Sequence, residues 1–132
     1  MLNIYQQTLE SPVNFHGNGL HSGEKVSVKI IPGSGNQGII FKRTDLKQNN
    51  IVIPNFANVS DATLCTTVSN QFGVKVSTIE HLMAAFLGLG IGNAVVELDS
   101  QEVPILDGSA KDFVKILKDT GLKKSDIPIK LI

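Results

Sequence analysis

Residues 77–87 read Ser-Thr-Ile-Glu-His-Leu-Met-Ala-Ala-Phe-Leu. The apolar side chains of this stretch recur at the i, i+3, i+4, i+7, i+8 spacing of one helix face: Ile79, Leu82, Met83, Phe86 and Leu87. Ser77, with Glu80 three residues later, has the form of a capping box, which predicts that the helix begins there. We therefore expect an amphipathic helix whose apolar face packs on the core.

Glu80 and His81 lie in the first turn of this predicted helix. Backbone N–H groups lack partners there, and the positive end of the helix dipole favours a carboxylate or an incoming anion. A capping-box Glu needs no catalytic role, however, and a lone His beside an apolar face is more often structural than a ligand. The helix pattern by itself therefore favours a structural role for both residues.

The other apolar patterns predict short strands and one further helix. Strands are expected at residues 5–9, 13–15, 25–30, 39–42, 51–53, 64–69, 73–76 and 94–98. The third of these alternates Val26, Val28 and Ile30 with polar residues, the pattern of a half-buried strand, and the fourth is expected to run antiparallel to it. Residues 51–53 are expected to form an edge strand. A second helix is predicted from Ser109 to Thr120, with Asp112 as a weak capping partner of Ser109 and with the apolar face Ala110, Phe113, Val114 and Leu117. This order predicts an α+β two-layer sandwich, with a mixed or antiparallel sheet and both main helices on one face.

Composition and charge exclude several classes of function. The 132 residues fit one domain, and 42% hydrophobic with 18% charged residues is an ordinary globular composition. Twelve Lys and Arg balance twelve Asp and Glu, so the basic footprint of a nucleic-acid-binding protein is missing. No apolar run reaches the roughly 20 residues of a membrane span, and the start of the chain does not resemble a signal peptide. We expect no nucleic-acid partner, no membrane span and a cytoplasmic location.

Cys65 is the only cysteine, so the chain can form no internal disulfide and no Cys-x-x-Cys metal motif. It follows Leu64 in a Thr-rich segment predicted to be a strand, where it is more readily a small packed side chain than a nucleophile. The glycine-rich segment at residues 17–23 lacks the lysine and the following helix that a phosphate-binding P-loop requires. Each of these features is weak evidence for function when taken alone.

Taken together and in order, these motifs resemble one family, the UDP-3-O-acyl-N-acetylglucosamine deacetylases. The resemblance covers nearly the whole chain and rests on Gly-x-Gly-x-His-x-Gly at 17–23, Arg-Thr-Asp at 43–45, Leu-Cys-Thr at 64–66, Ser-Thr-Ile-Glu-His-Leu at 77–82, Gly-Leu-Gly-Ile at 88–91 and Glu-Val-Pro-Ile-Leu-Asp-Gly-Ser at 102–109. It implies the fold of ribosomal protein S5 domain 2. It also implies zinc-dependent hydrolysis of the N-acetyl amide of a UDP-sugar acyl substrate, the committed step of lipid A biosynthesis.

The resemblance also assigns roles to individual residues. It implies that Glu80 is the general base and His81 a zinc ligand, and it places His21 and the segment Leu64, Cys65 and Thr66 at the substrate. Hydrolytic zinc sites use three protein ligands and an open position, with a carboxylate that moves the proton from water to the leaving amine. A Glu and a His in one helical turn suit two of those roles.

The sequence departs from the family in length, because complete members are roughly twice as long. We expect residues 1–126 to be the amino-terminal deacetylase domain and residues 127–132, which alternate like a strand, to begin a missing second domain. The only imidazoles are those of His16, His21 and His81, and no His-x-x-x-Asp spacing occurs. The remaining zinc ligands are therefore expected from the second domain, and the chain is expected to be inactive alone.

Two other functions remain open from the residues themselves. The first is a different two-domain metal-dependent sugar-phosphate or imidazole-phosphate enzyme, since a fold does not determine a function. Its metal signature would need further His and Glu near His81, and the Leu-Met-Ala-Ala sequence at 82–85 argues against it. The second is a non-catalytic binding or scaffolding module, in which Glu80 is a helix cap and the glycines form turns.

Overall fold

The centre of the fold is a five-stranded sheet covered on one face by two helices. The computed structural model describes residues 4–129. The strands are β1 (Tyr5–Leu9), β2 (Val13–Asn18), β3 (Lys25–Pro32), β4 (Ile39–Arg43), β5 (Ile51–Val52), β6 (Val59–Asp61), β7 (Thr67–Ser69), β8 (Lys75–Ser77), β9 (Ala94–Leu98) and β10 (Leu122–Pro128). The helices are α1 (Glu80–Leu89) and α2 (Lys111–Thr120), with a short 3-10 helix at Phe56–Asn58.

The main sheet has the order β2-β3-β9-β4-β5 and is mixed. A second sheet of three antiparallel strands, β6-β7-β8, precedes α1, and β1 pairs antiparallel with β10. The alternation predicted for β3 is confirmed, because Val26, Val28 and Ile30 are buried while their neighbours are exposed. The α+β architecture with both helices on one sheet face is therefore confirmed.

The core lies between the buried face of the main sheet and the two helices. Phe86 of α1 and Phe113 and Leu117 of α2 are buried in one core cluster with apolar residues of β3 and β9, and the helices contact one another. Burial of a side chain of this size contributes about 1.5–3 kcal/mol to folding. Within the described part of the chain, no helix is both long and apolar enough to cross a membrane.

Strand β4 runs antiparallel to β3, as predicted, but the two strands are not neighbours in the sheet. Strand β9 lies between β3 and β4, and it pairs antiparallel with β3 and parallel with β4. Ala94 thus has Pro32 as its partner on one side and Ile39 on the other. The strongly apolar β9 takes the centre of the sheet, where burial is greatest, and this displaces β4. The edge strand was predicted correctly and comprises Ile51 and Val52.

The predicted capping box is also wrong. Ser77 is the last residue of β8, where its N–H donates to the Gln101 carbonyl at 2.7 Å and its carbonyl accepts from the Val103 N–H at 3.0 Å. Helix α1 therefore begins at Glu80, with Ile79 at the N-cap and no side-chain cap. Likewise α2 begins at Lys111, two residues after the predicted Ser109.

Leu87 does not belong to the buried face of α1, since 85% of it is exposed. The fully buried residues of this helix are Leu82, Ala85 and Phe86. Successive residues differ by about 100° around a helix, so Leu87 points well away from Phe86. The apolar face was predicted too wide on this side.

Strand β10 ends at Pro128, whose partner in β1 is Tyr5. Residues 127 and 128, which the sequence analysis assigned to a following domain, thus extend a strand that pairs with β1. The domain boundary after residue 126 stays a prediction, and residues 130–132 of the predicted strand lie outside the described residues.

Candidate active site

Glu80 presents a half-satisfied carboxylate at the first residue of α1. Its Oε2 accepts a hydrogen bond from the Thr66 N–H at 2.9 Å. Its Oε1 is buried and has no hydrogen-bond partner among the described residues. A buried polar atom left unpaired costs about 1–3 kcal/mol, so such an atom in a native fold calls for an explanation. An oxygen kept available for a proton or a ligand is one such explanation.

His81 follows Glu80 in the first turn of α1 and is partly exposed. Neighbouring residues of a helix point about 100° apart, so the two side chains leave the helix start in different directions. The helix dipole favours an anion at this end, and Glu80 is the only acidic residue in the first turn.

Residues 64–66 form a loop between β6 and β7, so the prediction that they belong to a strand is wrong. The Thr66 N–H donates to the Glu80 carboxylate, and the Thr66 carbonyl accepts from the Ile79 N–H at 3.4 Å. These are the backbone groups that strand pairing would use. The loop is instead held against the beginning of α1, with Leu64 82% exposed.

His21 and Cys65 line one cavity of about 220 Å³, although they are far apart in sequence. The other lining residues are Ser22, Ser77, Gln101 and Glu102. The Cys65 Sγ lies 3.8 Å from the Thr67 Oγ1. The structure thus brings His21 beside the Leu64–Thr66 loop, whereas Glu80 contacts that loop through Thr66.

Glu102 is a buried residue of the site, only 2% exposed, and no sequence pattern predicted a role for it. Burial raises the pKa of its carboxyl, but hydrogen bonds from Thr78, Ser22 and His21 outweigh burial and hold the pKa below its ordinary value. The one sequence feature that could have pointed to Glu102 is its position directly before the apolar Val103-Pro104-Ile105 segment.

Zinc would find a partial set of ligands in this chain. Within residues 4–129, no three His, Cys, Asp or Glu side chains lie together as a metal-binding group. Imidazole nitrogen and carboxylate oxygen are nonetheless donors that zinc accepts. The partly exposed His81 fits one ligand position of such a site, and the unpaired Glu80 Oε1 fits the carboxylate that a hydrolytic site needs beside it.

Fold and site together define a two-layer α+β domain that presents an unpaired carboxylate oxygen and an imidazole at the beginning of a helix. A family model described as "LpxC: UDP-3-O-acyl N-acetylglycosamine deacetylase" matches residues 6–132. The chain belongs to this family.

Curated relatives agree with this membership. Proteins named "UDP-3-O-acyl-N-acetylglucosamine deacetylase" from Shewanella baltica (strain OS155 / ATCC BAA-1091) and Shewanella sp. (strain W3-18-1) are each 45% identical to this chain over 129 residues. The protein of that name from Shewanella oneidensis is 44% identical over the same length. Each comparison covers 98% of this chain but 42% of the relative. The chain thus spans about two fifths of the length of these relatives.

Proposed function

We propose that this chain is the portion of a zinc-dependent UDP-3-O-acyl-N-acetylglucosamine deacetylase that supplies the general base, Glu80, and one zinc ligand, His81. The reaction is hydrolysis of the N-acetyl amide, the committed step of lipid A biosynthesis, in the cytoplasm. The observation that carries the proposal is the buried, unpaired Oε1 of Glu80 at the start of α1, in a chain of this family.

Glu80 would act as the proton carrier of the hydrolysis. The Thr66 N–H holds Oε2 and so fixes the orientation of the carboxylate, while Oε1 stays available to take a proton from the attacking water. The same carboxylate would then deliver the proton to the leaving amine. Bound zinc would act as a Lewis acid toward the amide carbonyl and the water.

The substrate would bind beside this carboxylate, in contact with His21, Leu64, Cys65 and Thr66. The cavity lined by His21 and Cys65 also offers Ser22, Ser77 and Gln101 as hydrogen-bonding groups, which suits a sugar. The exposed Leu64 offers an apolar surface for the acyl chain. These assignments rest on the position of the loop at the start of α1.

A second domain of the same enzyme would supply the ligands that this chain lacks. The relatives are more than twice as long, which leaves room for such a domain. Leu64, Leu87 and Phe56 are exposed large apolar residues, and burial against another domain would remove them from water. One imidazole cannot complete a three-ligand site, so we predict that the chain binds zinc weakly or not at all and is inactive alone.

The test uses the chain by itself and a longer protein that includes the second domain. Calorimetric titration of the chain with zinc at neutral pH should show weak binding or none. In the longer protein, Glu80→Gln should lower turnover about 10²- to 10⁴-fold with zinc retained, while His81→Ala should lose zinc. His16→Ala is the matched control, because His16 is exposed on β2 and lines a different cavity.

Two results would contradict the proposal. Near-normal turnover by Glu80→Gln would make Glu80 a structural residue and remove the general base from this chain. Tight stoichiometric zinc binding by the chain alone, abolished by His81→Ala, would show that the site is complete without a second domain.

A further inference from the structure

Glu102 joins two segments of the candidate active site that are distant in sequence. Its Oε1 accepts from the Ser22 N–H at 2.8 Å, and both carboxylate oxygens lie 3.1 Å from the His21 N–H. Its Oε2 accepts from the Thr78 hydroxyl at 2.7 Å. One buried carboxylate therefore contacts the loop that carries His21 and the turn that immediately precedes α1.

Thr78 has a backbone conformation that its side chain disfavours. Its φ is +59°, in the left-handed region, which is rare for a β-branched residue. Such a conformation persists only where surrounding contacts impose it. The hydrogen bond from the Thr78 hydroxyl to Glu102 is one of these contacts, and Thr78 lies two residues before Glu80 in the chain.

The loop that carries His21 also fits closely against the Glu102 carboxylate. A Cβ added at Gly19 would lie only 2.3 Å from the Glu102 Oε1, so any side chain here would force the carboxylate to shift. The backbone of Glu102 is itself anchored, because its neighbours Gln101 and Val103 hydrogen-bond to Ser77. The backbone that carries the Glu102 side chain is thus fixed while the carboxylate contacts the His21 loop and Thr78.

We propose that Glu102 is a positioning residue of the active site, whose carboxylate holds the His21 loop (residues 19–23) and the Thr78 turn in one fixed arrangement. The inference rests on the proposed function for the roles of His21 and Glu80. A carboxylate suits this task because it offers only acceptors to three donors. Glutamine has the same shape but turns an NH₂ group toward one of those donors.

The test measures amide hydrogen exchange in the chain by NMR for wild type, Glu102→Gln, Thr78→Val and Thr78→Ser. Glu102→Gln should speed exchange at His21 and Ser22 by about tenfold or more beyond any change at core amides such as Val96. It should also speed exchange at Thr66, whose N–H reports the placement of Glu80.

The Thr78 pair keeps the inference testable if Glu102→Gln does not fold. Thr78→Val removes the hydroxyl and keeps the β-branched shape, so it should speed exchange at Thr66, whereas Thr78→Ser keeps the donor and should resemble wild type. Glu24→Gln is the matched acidic control, because the Glu24 carboxylate accepts only from the Ser100 hydroxyl among the described residues. It should leave the amides of His21 and Thr66 unchanged.

The inference is overturned if Glu102→Gln changes exchange at His21, Ser22 and Thr66 only by the factor seen in the core, since that pattern indicates a general loss of stability. It is also overturned if Thr78→Val and Thr78→Ser behave alike. These outcomes concern amide protection, so they are distinguishable from failure of the proposed function, which appears in zinc binding and turnover.

Discussion

Replacing Phe86 with alanine should destabilise the protein far more than the same replacement at Glu80. Phe86 is 1% exposed and packs in the core between α1 and the main sheet. Truncation of a buried Phe to Ala removes its transfer free energy and leaves a cavity, at a cost of about 3–5 kcal/mol. The free energy of unfolding of a domain is only about 5–15 kcal/mol, so this one change removes a large part of it.

Glu80→Ala should have a much smaller effect because two terms oppose one another. The variant leaves the Thr66 N–H without its acceptor, a loss of about 1–3 kcal/mol. It also removes the buried Oε1, which has no partner and is costly to keep in the fold. We expect a net change of about 1 kcal/mol or less, since the second term offsets most of the first.

Urea unfolding followed by circular dichroism measures both effects. The slope of unfolding free energy against urea is about 1–3 kcal/mol per molar for small proteins, and at about 2 kcal/mol per molar Phe86→Ala should lower the midpoint by about 1.5–2.5 M. Glu80→Ala should lower it by no more than about 0.5 M. Equal midpoints for the two variants would refute the assignment of Phe86 to the core and of Glu80 to a site that contributes little to stability.

Two further predictions concern Glu102 and Gly88. Burial raises the pKa of Glu102, but the hydrogen bonds it accepts hold that pKa below its ordinary value of 4.5 in the fold. The ionised carboxylate therefore stabilises the fold above about pH 4.5, and this contribution is lost as pH falls through the lower folded-state pKa. The urea midpoint of Glu102→Gln should consequently fall less with acid than that of wild type. Parallel pH profiles for the two proteins would contradict this prediction. Gly88→Ala in α1 meets no atom within 4 Å, so it should raise the unfolding free energy by about 0.5–1 kcal/mol, and a lower midpoint would contradict that expectation.

Local patterns in the sequence predicted most elements of the fold correctly. Alternation located β3 and its buried face, and the apolar spacing of α2 identified Phe113 and Leu117 as core residues. These predictions succeed because the side-chain period of a strand or helix depends only on neighbouring residues. The edge strand β5 was predicted for the same reason, from a short β-prone segment before a proline.

The misplaced features depend on contacts between distant segments. Ser77 matched a capping box, but Gln101 and Val103 bind its backbone groups and keep it in β8. Residues 64–66 looked like a strand, but Ile79 and Glu80 bind the backbone of Thr66 and keep it in a loop. Propensity is a weak local preference, and tertiary hydrogen bonds override it.

Glu80 and His81 could be placed at the start of a helix from local sequence, because a run of apolar residues at helical spacing follows them. The tertiary structure sets the bonding around them: one Glu80 oxygen is bound by Thr66 while the other is left unpaired, and His21 lies beside Cys65. It also decided the role of Glu102, whose partners lie 24 to 81 residues away. Partners so distant in the chain are chosen by how the sheet and helices pack, which no local pattern specifies.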